Sequence, residues 1–274
     1  MNLRKPVKLA MCCVAVASAC LVQQAFADTC SELAGKGLGY SSLKKSLHDV
    51  VVTASTPANP TPNGGLAFPM WLTLVDGSGK VCAVVNSLDG STQNADVTAD
   101  IWLGSRVISA QKANTANAFS TGKLALSTAN LYAAVQPGGS LFGLQESNPV
   151  DATVAYQGRA SDFGSYKDPL VGVRIGGINV FGGGLALYDN GKKIGAIGVS
   201  GDTSCTDHVV AWKVRASTAY ATVPAFGSFD AMFQDIPVDP ATGLVAGASV
   251  SGFGHPKCLN NPTAAEAGSA IIGN

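Results

Sequence analysis

Charge is scarce in this sequence. Only 13% of its 274 residues are Asp, Glu, Lys or Arg, with 18 basic side chains against 18 acidic ones. No segment gathers the basic ones into a stripe, which excludes the electrostatic grip that nucleic-acid binding needs. Aromatic residues make up 7%, and there are three histidines, His48, His208 and His255. Familiar catalytic signatures are missing as well. Gly77-Ser-Gly-Lys80 is followed by Val81, where a phosphate-binding loop needs Ser or Thr, and it lacks the earlier glycine. Gly198-Val-Ser-Gly201 lacks the second spaced glycine of a hydrolase elbow. Beyond the N-terminus no apolar run approaches the roughly 18 residues a membrane helix requires. Nothing in this inventory demands an enzyme.

The N-terminus carries the three parts of an export signal in order. Arg4, Lys5 and Lys8 precede an apolar run over 9–22, and Ala25-Phe26-Ala27 supplies a small-x-small cleavage site. Cys20 follows Ala17-Ser18-Ala19, which lacks the leucine-like residue of a lipoprotein acceptor. A soluble mature chain from Asp28, periplasmic or secreted, is therefore expected. Three of the 18 basic residues leave with the signal, so 15 face 18 acidic ones and the net charge is near −3. Cysteine falls from seven to four: Cys30, Cys82, Cys205 and Cys258. An even number in an exported protein points to two disulfides, with three connectivities open. Cys205–Cys258 with Cys30–Cys82 is the favoured choice, because a cysteine in the tail needs something to hold it.

The chain is organised around residues 182–215. Two apolar runs, 185–188 and 194–199, flank Asn190-Gly191, a pair that tolerates the positive φ of a type I′ hairpin turn. Ser200-Gly-Asp202 breaks the second strand, and Thr203 or Ser204 caps a helix. Gly195 and Gly198 line that second strand, which makes it a place where a flat ligand could lie near a helix N-terminus. Upstream, Leu43, Leu47, Val50 or Val51 and Ala54 recur at helical spacing after a Ser41 or Ser42 cap. The proline-rich segment 57–65 is a loop. Strands over 68–75 and 81–85 enclose the turn Asp76-Gly-Ser-Gly79; helices follow over 97–120 and 124–135. Residues 145–177 have no clear period and read as a long surface excursion. Residues 221–274 begin with an aromatic turn (Phe226, Phe229, Met232, Phe233) and then lose any pattern, so a partly flexible extension is expected. Helices between antiparallel hairpins make this an α+β domain.

Three stretches carry a resemblance to a known family. They are Leu74-Val-Asp-Gly-Ser-Gly-Lys-Val81, Gln111-Lys-Ala-Asn-Thr-Ala116 with Phe119, and residues 183–207 containing Ile-Gly-Ala-Ile-Gly-Val-Ser-Gly at 194–201 and an acid at Asp207. In this order the chain resembles the GlcG/HbpS haem-binding protein family over about 41–215. The resemblance implies a profilin-like α+β fold with a central antiparallel sheet flanked by helices, a homo-oligomer, and non-covalent haem as cofactor and partner. The domain would span 28–220 with an insertion at 145–177, between a signal peptide at 1–27 and an extension at 221–274. Leu88-Asp-Gly-Ser91 departs from the family's M-D-G-A, and the insertion, the tail and the four cysteines are additions.

Haem sharpens the reading of single residues. His208, one residue after the matched acid, is the first candidate for the iron, imidazole being a common axial ligand. Lys112 and Arg106 on the long helix are candidate partners for the propionates, with Gly195 and Gly198 beneath the macrocycle. His48, His255 and Met70 are weaker ligand candidates. No Cys-x-x-Cys-His exists, which excludes ordinary covalent attachment. Cys205-x-x-His208 could be half of a metal site, but no second Cys/His cluster stands at metal spacing in the sequence. The expected function is an exported haem carrier, scavenger or sensor. The alternatives are a haem-free structural or assembly module, or an enzyme of small-metabolite chemistry.

Overall fold

The computed structural model describes residues 29–88, 99–224, 230–258 and 267–273. The export signal, Phe226 and Phe229 lie outside them. Helices α1 (Cys30–Gly35) and α2 (Tyr40–His48) lead into strands β1 (Trp71–Asp76) and β2 (Val81–Asn86). The long helix α3 (Gly104–Phe119) follows, then the short helices α4 (Leu144–Ser147) and α5 (Ala152–Ala155). Strands β3 (Gly184–Asp189) and β4 (Lys192–Ser200) lead to helix α6 (Ser204–Ala216), and β5 (Met232–Phe233) and β6 (Ile271–Ile272) close the chain. The main sheet has the order β2-β1-β4-β3, antiparallel throughout. This is the α+β architecture expected, with helices on both faces.

Side-chain alternation along β1 shows why the sheet is double-faced. Leu72 and Leu74 point into a core shared with α1, α2 and α6, whereas Trp71 and Val75 join the core beneath α3. Thr73, between the two leucines, follows the α3 face, and its hydroxyl lies 2.7 Å from Ser109 Oγ. Beneath the middle of α3 the residues of β4 are small, Ala196 and Gly198. A Cβ placed on Gly198 would stand 2.0 Å from the carbonyl oxygen of Ser109 and 2.4 Å from the amide nitrogen of Ala113. Helix α3 thus rests on bare strand backbone, which only glycine allows. At the far end of β3, Asn190 and Gly191 take φ of 48° and 78°, the expected type I′ turn.

The β1–β2 turn is held by one carboxylate. Asp76 Oδ1 accepts from the amides of Ser78 and Lys80 at 2.8 and 3.1 Å and from Ser78 Oγ at 2.6 Å. The disulfides follow the favoured pairing: Cys30–Cys82 ties α1 to β2, and Cys205–Cys258 ties α6 to the C-terminal segment.

Several local expectations are corrected. Gly39, not Ser41 or Ser42, is the N-cap of α2, and the helix runs on as a π-turn to Thr53. Helix α3 begins at Gly104 rather than 97; just ahead of it the carbonyl of Trp102 accepts from Trp71 Nε1 at 3.0 Å. The helix expected over 124–135 is two 3-10 turns, Thr128–Leu131 and Ala133–Val135. Side chains compete with the helix there: Ser127 Oγ takes the amide of Ala129, and Thr128 Oγ1 takes the amide of Gly184.

The two additions are built into the body. Segment 145–177 is not a mere surface excursion, because Leu170, Ile175 and Asp168 are buried against α3. The tail expected to be flexible contributes, in its described part, the parallel pair β5–β6 and Ala267 and Ala270 packed on Val209 of α6.

Candidate functional site

The residues expected to hold haem all lie inside the protein, and each has an internal partner. Lys112 projects from α3, with its Nζ 2.6 Å from Asp207 Oδ2 on α6 and 3.0 Å from the carbonyl of Val199. Both side chains are buried, and Asp207 Oδ1 accepts from the amide of Asp202 at 2.9 Å. Burial, more than the pairing, governs their protonation: it lowers the Lys112 pKa and raises that of Asp207 to about 6. The ammonium therefore ties α3 to α6 and to the end of β4, instead of reaching out to a propionate.

Arg106 is likewise consumed. Its Nη2 and Nε meet Asp168 Oδ1 and Oδ2 at 2.5 and 2.9 Å, Nη1 donates to Ala155 O, and the guanidinium stacks 3.8 Å from the Phe163 ring centre. Asp168 also accepts from the amides of Gly164 and Leu170, so each of its carboxylate oxygens accepts two hydrogen bonds. The sequence presented Arg106 as a ligand contact; the fold makes it the peg on which the insertion hangs.

His208 has no exposed surface. Nε2 faces the carbonyl of Ala270 at 3.0 Å, so that nitrogen carries the proton, and Nδ1 accepts from Ser127 Oγ at 3.2 Å. Burial, with the nearby Arg215 charge adding to it, depresses its pKa to about 3. Both ring nitrogens are spoken for, and the tail lies over the ring. Gly195 and Gly198 fare the same way: a Cβ on Gly195 would stand 2.3 Å from the carbonyl of Val75, and Gly198 lies against α3. The glycine strand is thus already covered by a helix, with no face left for a macrocycle. Met70 is a buried core residue, and His48 turns Nδ1 to the carbonyl of Ser87 at 2.9 Å.

An open concavity lies elsewhere. A cleft of about 700 Å³ runs between the 3-10 turns with the loop after them (Tyr132, Gln136, Pro137) and the tail (Ile236, Val245, Phe253). Its size falls within the ordinary range of small-molecule sites. Among the described residues lining it none is Lys or Arg. The Tyr132 ring lies 5.5 Å from the ring of His255, which is buried behind it. His255 Nδ1 faces the carbonyl of its neighbour Pro256 at 2.7 Å, and Nε2 lies 2.8 Å from Ser204 Oγ. Beside it sits the Cys205–Cys258 disulfide, with Met232 Sδ 3.5 Å and Gln234 Nε2 3.1 Å from Cys205 Sγ. Sequence reasoning missed this neighbourhood, because its parts come from segments 132–140, 204–205 and 232–258, none adjacent in the chain. The faint signal was Pro137-Gly-Gly139 together with a glycine- and serine-rich tail.

Residues 75–216, just over half of the chain, match the family described as haem degrading protein HbpS-like. The chain belongs to the HbpS-like family. Over 112 residues it is 38% identical to an uncharacterized 15.0 kDa protein of the dhaT-dhaS intergenic region of Citrobacter freundii. That stretch covers 41% of this chain and 57% of the relative, so the match spans little more than half of the relative's length. Among solved structures, the Klebsiella pneumoniae protein ORFY, described as DUF336, aligns over 64% of this chain and 86% of its own at 23% identity and a TM-score of 0.40. A PduOC:heme complex aligns over 65% and 94% at 23% identity and a TM-score of 0.41. These scores are too low to carry the haem of the second structure over to this HbpS-like chain.

Proposed function

We propose that this HbpS-like protein is exported and binds haem without a covalent link, as a carrier, scavenger or sensor. Family membership carries the reading, since the family is described as haem degrading and degradation begins with binding. The interior residues do not fit the group, because Lys112, Arg106, His208 and the two glycines are all committed to packing. The cleft fits it better. It has the volume and the largely apolar wall that a flat macrocycle needs, and Tyr132 supplies a phenol, a known type of haem-iron ligand. With no lining cation, the propionates would be left at the open mouth in water. The signal-like segment at 1–27 supports an extracytoplasmic setting, and the family resemblance supports a homo-oligomer.

Titration of the mature protein with haemin, followed by optical absorption, tests the reading. The expected result is a saturable Soret band that Tyr132→Phe weakens or shifts and His208→Ala leaves in place. A band altered by His208→Ala alone would put the haem under the tail and refute the cleft. No saturable band would refute haem binding. The assembly-module reading would then stand in its place; it is favoured by the additions having closed over the domain's interior polar residues.

A further inference from the structure

The cluster beside the cleft has its own chemistry. Ligand atoms of Cys205, His255 and Cys258 all lie within 4.8 Å of one another. Two donors on one tetrahedral metal stand about 3.5–3.8 Å apart, as bond lengths of 2.0–2.3 Å require. Small side-chain adjustments would therefore bring all three donors onto one ion. Met232 adds a thioether 3.5 Å from Cys205 Sγ, buried with no exposed surface. The histidine tautomer suits ligation once Ser204 Oγ, 2.8 Å from Nε2, gives way to an ion. A carbonyl can only accept, so Nδ1, facing Pro256 O, carries the proton and Nε2 keeps its lone pair, directed at Ser204 next to Cys205 in the chain. Fixing the distal N–H on a backbone carbonyl is the usual outer-shell support of a metal-bound histidine. Cys205 Sγ, finally, receives the amide of Gln234, which supports a thiolate there.

We propose that the dithiol form of Cys205 and Cys258, with His255 and Met232, is a binding site for monovalent copper. Two thiolates, a thioether and an imidazole form a soft donor set, and the thioether distinguishes copper(I) from zinc. The disulfide is the closed state of the site. To open it, an external dithiol attacks Cys258, the less buried sulfur, and forms a mixed disulfide there while Cys205 leaves as a thiolate beside Gln234. The reductant's second thiol then releases Cys258 and departs as its own disulfide, so two electrons enter the protein. Copper(I) binding displaces whatever thiol protons remain. The site is independent of haem, and the tail that supplies three of its four donors lies beyond the family-matched residues 75–216.

Anaerobic titration of the phosphine-reduced full mature chain with copper(I), in competition with a chromophoric copper(I) chelator, tests this. Cys30 and Cys82, near Asp76, form a second dithiol on reduction, so the titration is repeated in a Cys30→Ser/Cys82→Ser background. We expect one copper per chain at this site, and none at the same affinity in the oxidised protein. His255→Ala should weaken it at least tenfold. Met232→Leu, nearly volume-conserving, should weaken it several-fold while leaving zinc affinity unchanged. X-ray absorption of the unsubstituted protein should show one nitrogen among sulfur neighbours, a readout that needs no variant to fold. Unaltered affinity in both variants, an all-sulfur spectrum, copper binding by the disulfide form, or loss of the near-ultraviolet circular dichroism on reduction would each overturn the proposal.

Discussion

His208 is either an accessible ligand or a buried neutral latch, and acid distinguishes the two. In the fold its pKa is depressed to about 3 from an ordinary value of 6.5. A base whose folded pKa is depressed adds stability that is complete above its unfolded pKa and is lost as pH falls toward the folded one. The window is therefore pH 6.5 down to 3. Between pH 7 and pH 5 the unfolded chain takes up about 0.7 of a proton at this position and the folded chain almost none. Linkage makes that worth about 2 kcal/mol of lost stability. His255, depressed to about 4, adds a similar loss, while Asp207, raised to about 6, gains a proton in the folded state and offsets about 1 kcal/mol. Glutamine at 208 can still donate to Ala270 O and cannot titrate, and it leaves the other two groups in place. Urea unfolding at pH 7 and pH 5 should therefore show a fall that is about 2 kcal/mol smaller in His208→Gln than in the parent. An equal fall in both proteins would mean that His208 is solvated, and would undo the account of the tail as its cover.

Two packing claims can be checked by single substitutions. Asp168→Ala would strand the buried guanidinium of Arg106, for an expected loss of about 3–5 kcal/mol in denaturant unfolding; Arg106→Leu with Asp168→Leu together should recover much of it. Gly198→Ala places a methyl 2.0 Å from the backbone of α3. A cost of about 3 kcal/mol or more, seen as a lowered melting temperature, is expected, because neither the strand nor the helix backbone can yield cheaply. A neutral result at Gly198 would show that α3 does not rest on the strand.

The framework was legible because its signals are local. The apolar run over 68–75, the Asn190-Gly191 turn and the Thr203 cap each follow from a few neighbouring residues. The additions defeated pattern reading for the opposite reason. Asp168 lies in a stretch without periodicity, and its importance arises from Arg106, 62 residues earlier. Likewise the 3-10 turns at 128–135 have helical composition, but Thr128 is drawn out of the ladder by Phe181 and Gly184, over 50 residues away. Where a long-range partner decides a conformation, neighbouring residues hold no record of it.

A long-range partner also decides the role of the most family-like stretch. A glycine-rich strand beside a helix N-terminus reads equally well as a ligand bed or as a seat for another helix, since both require backbone without Cβ. What separates them is whether a covering element exists, and here α3 is that element: the Ser109 carbonyl and the Ala113 amide occupy the space above Gly198. Charged residues on α3 then cannot be surface ligands, since Lys112 and Arg106 face buried carboxylates on α6 and on the insertion. The shared motif is thereby assigned to assembling the domain. The open cleft of this HbpS-like chain lies where the tail meets 132–140, with Tyr132 on its wall and His255 and the Cys205–Cys258 pair beside it. A ligand specificity particular to this chain should consequently respond to changes at 132–140 and 232–258, and be insensitive to conservative changes along 194–201 that leave the fold intact.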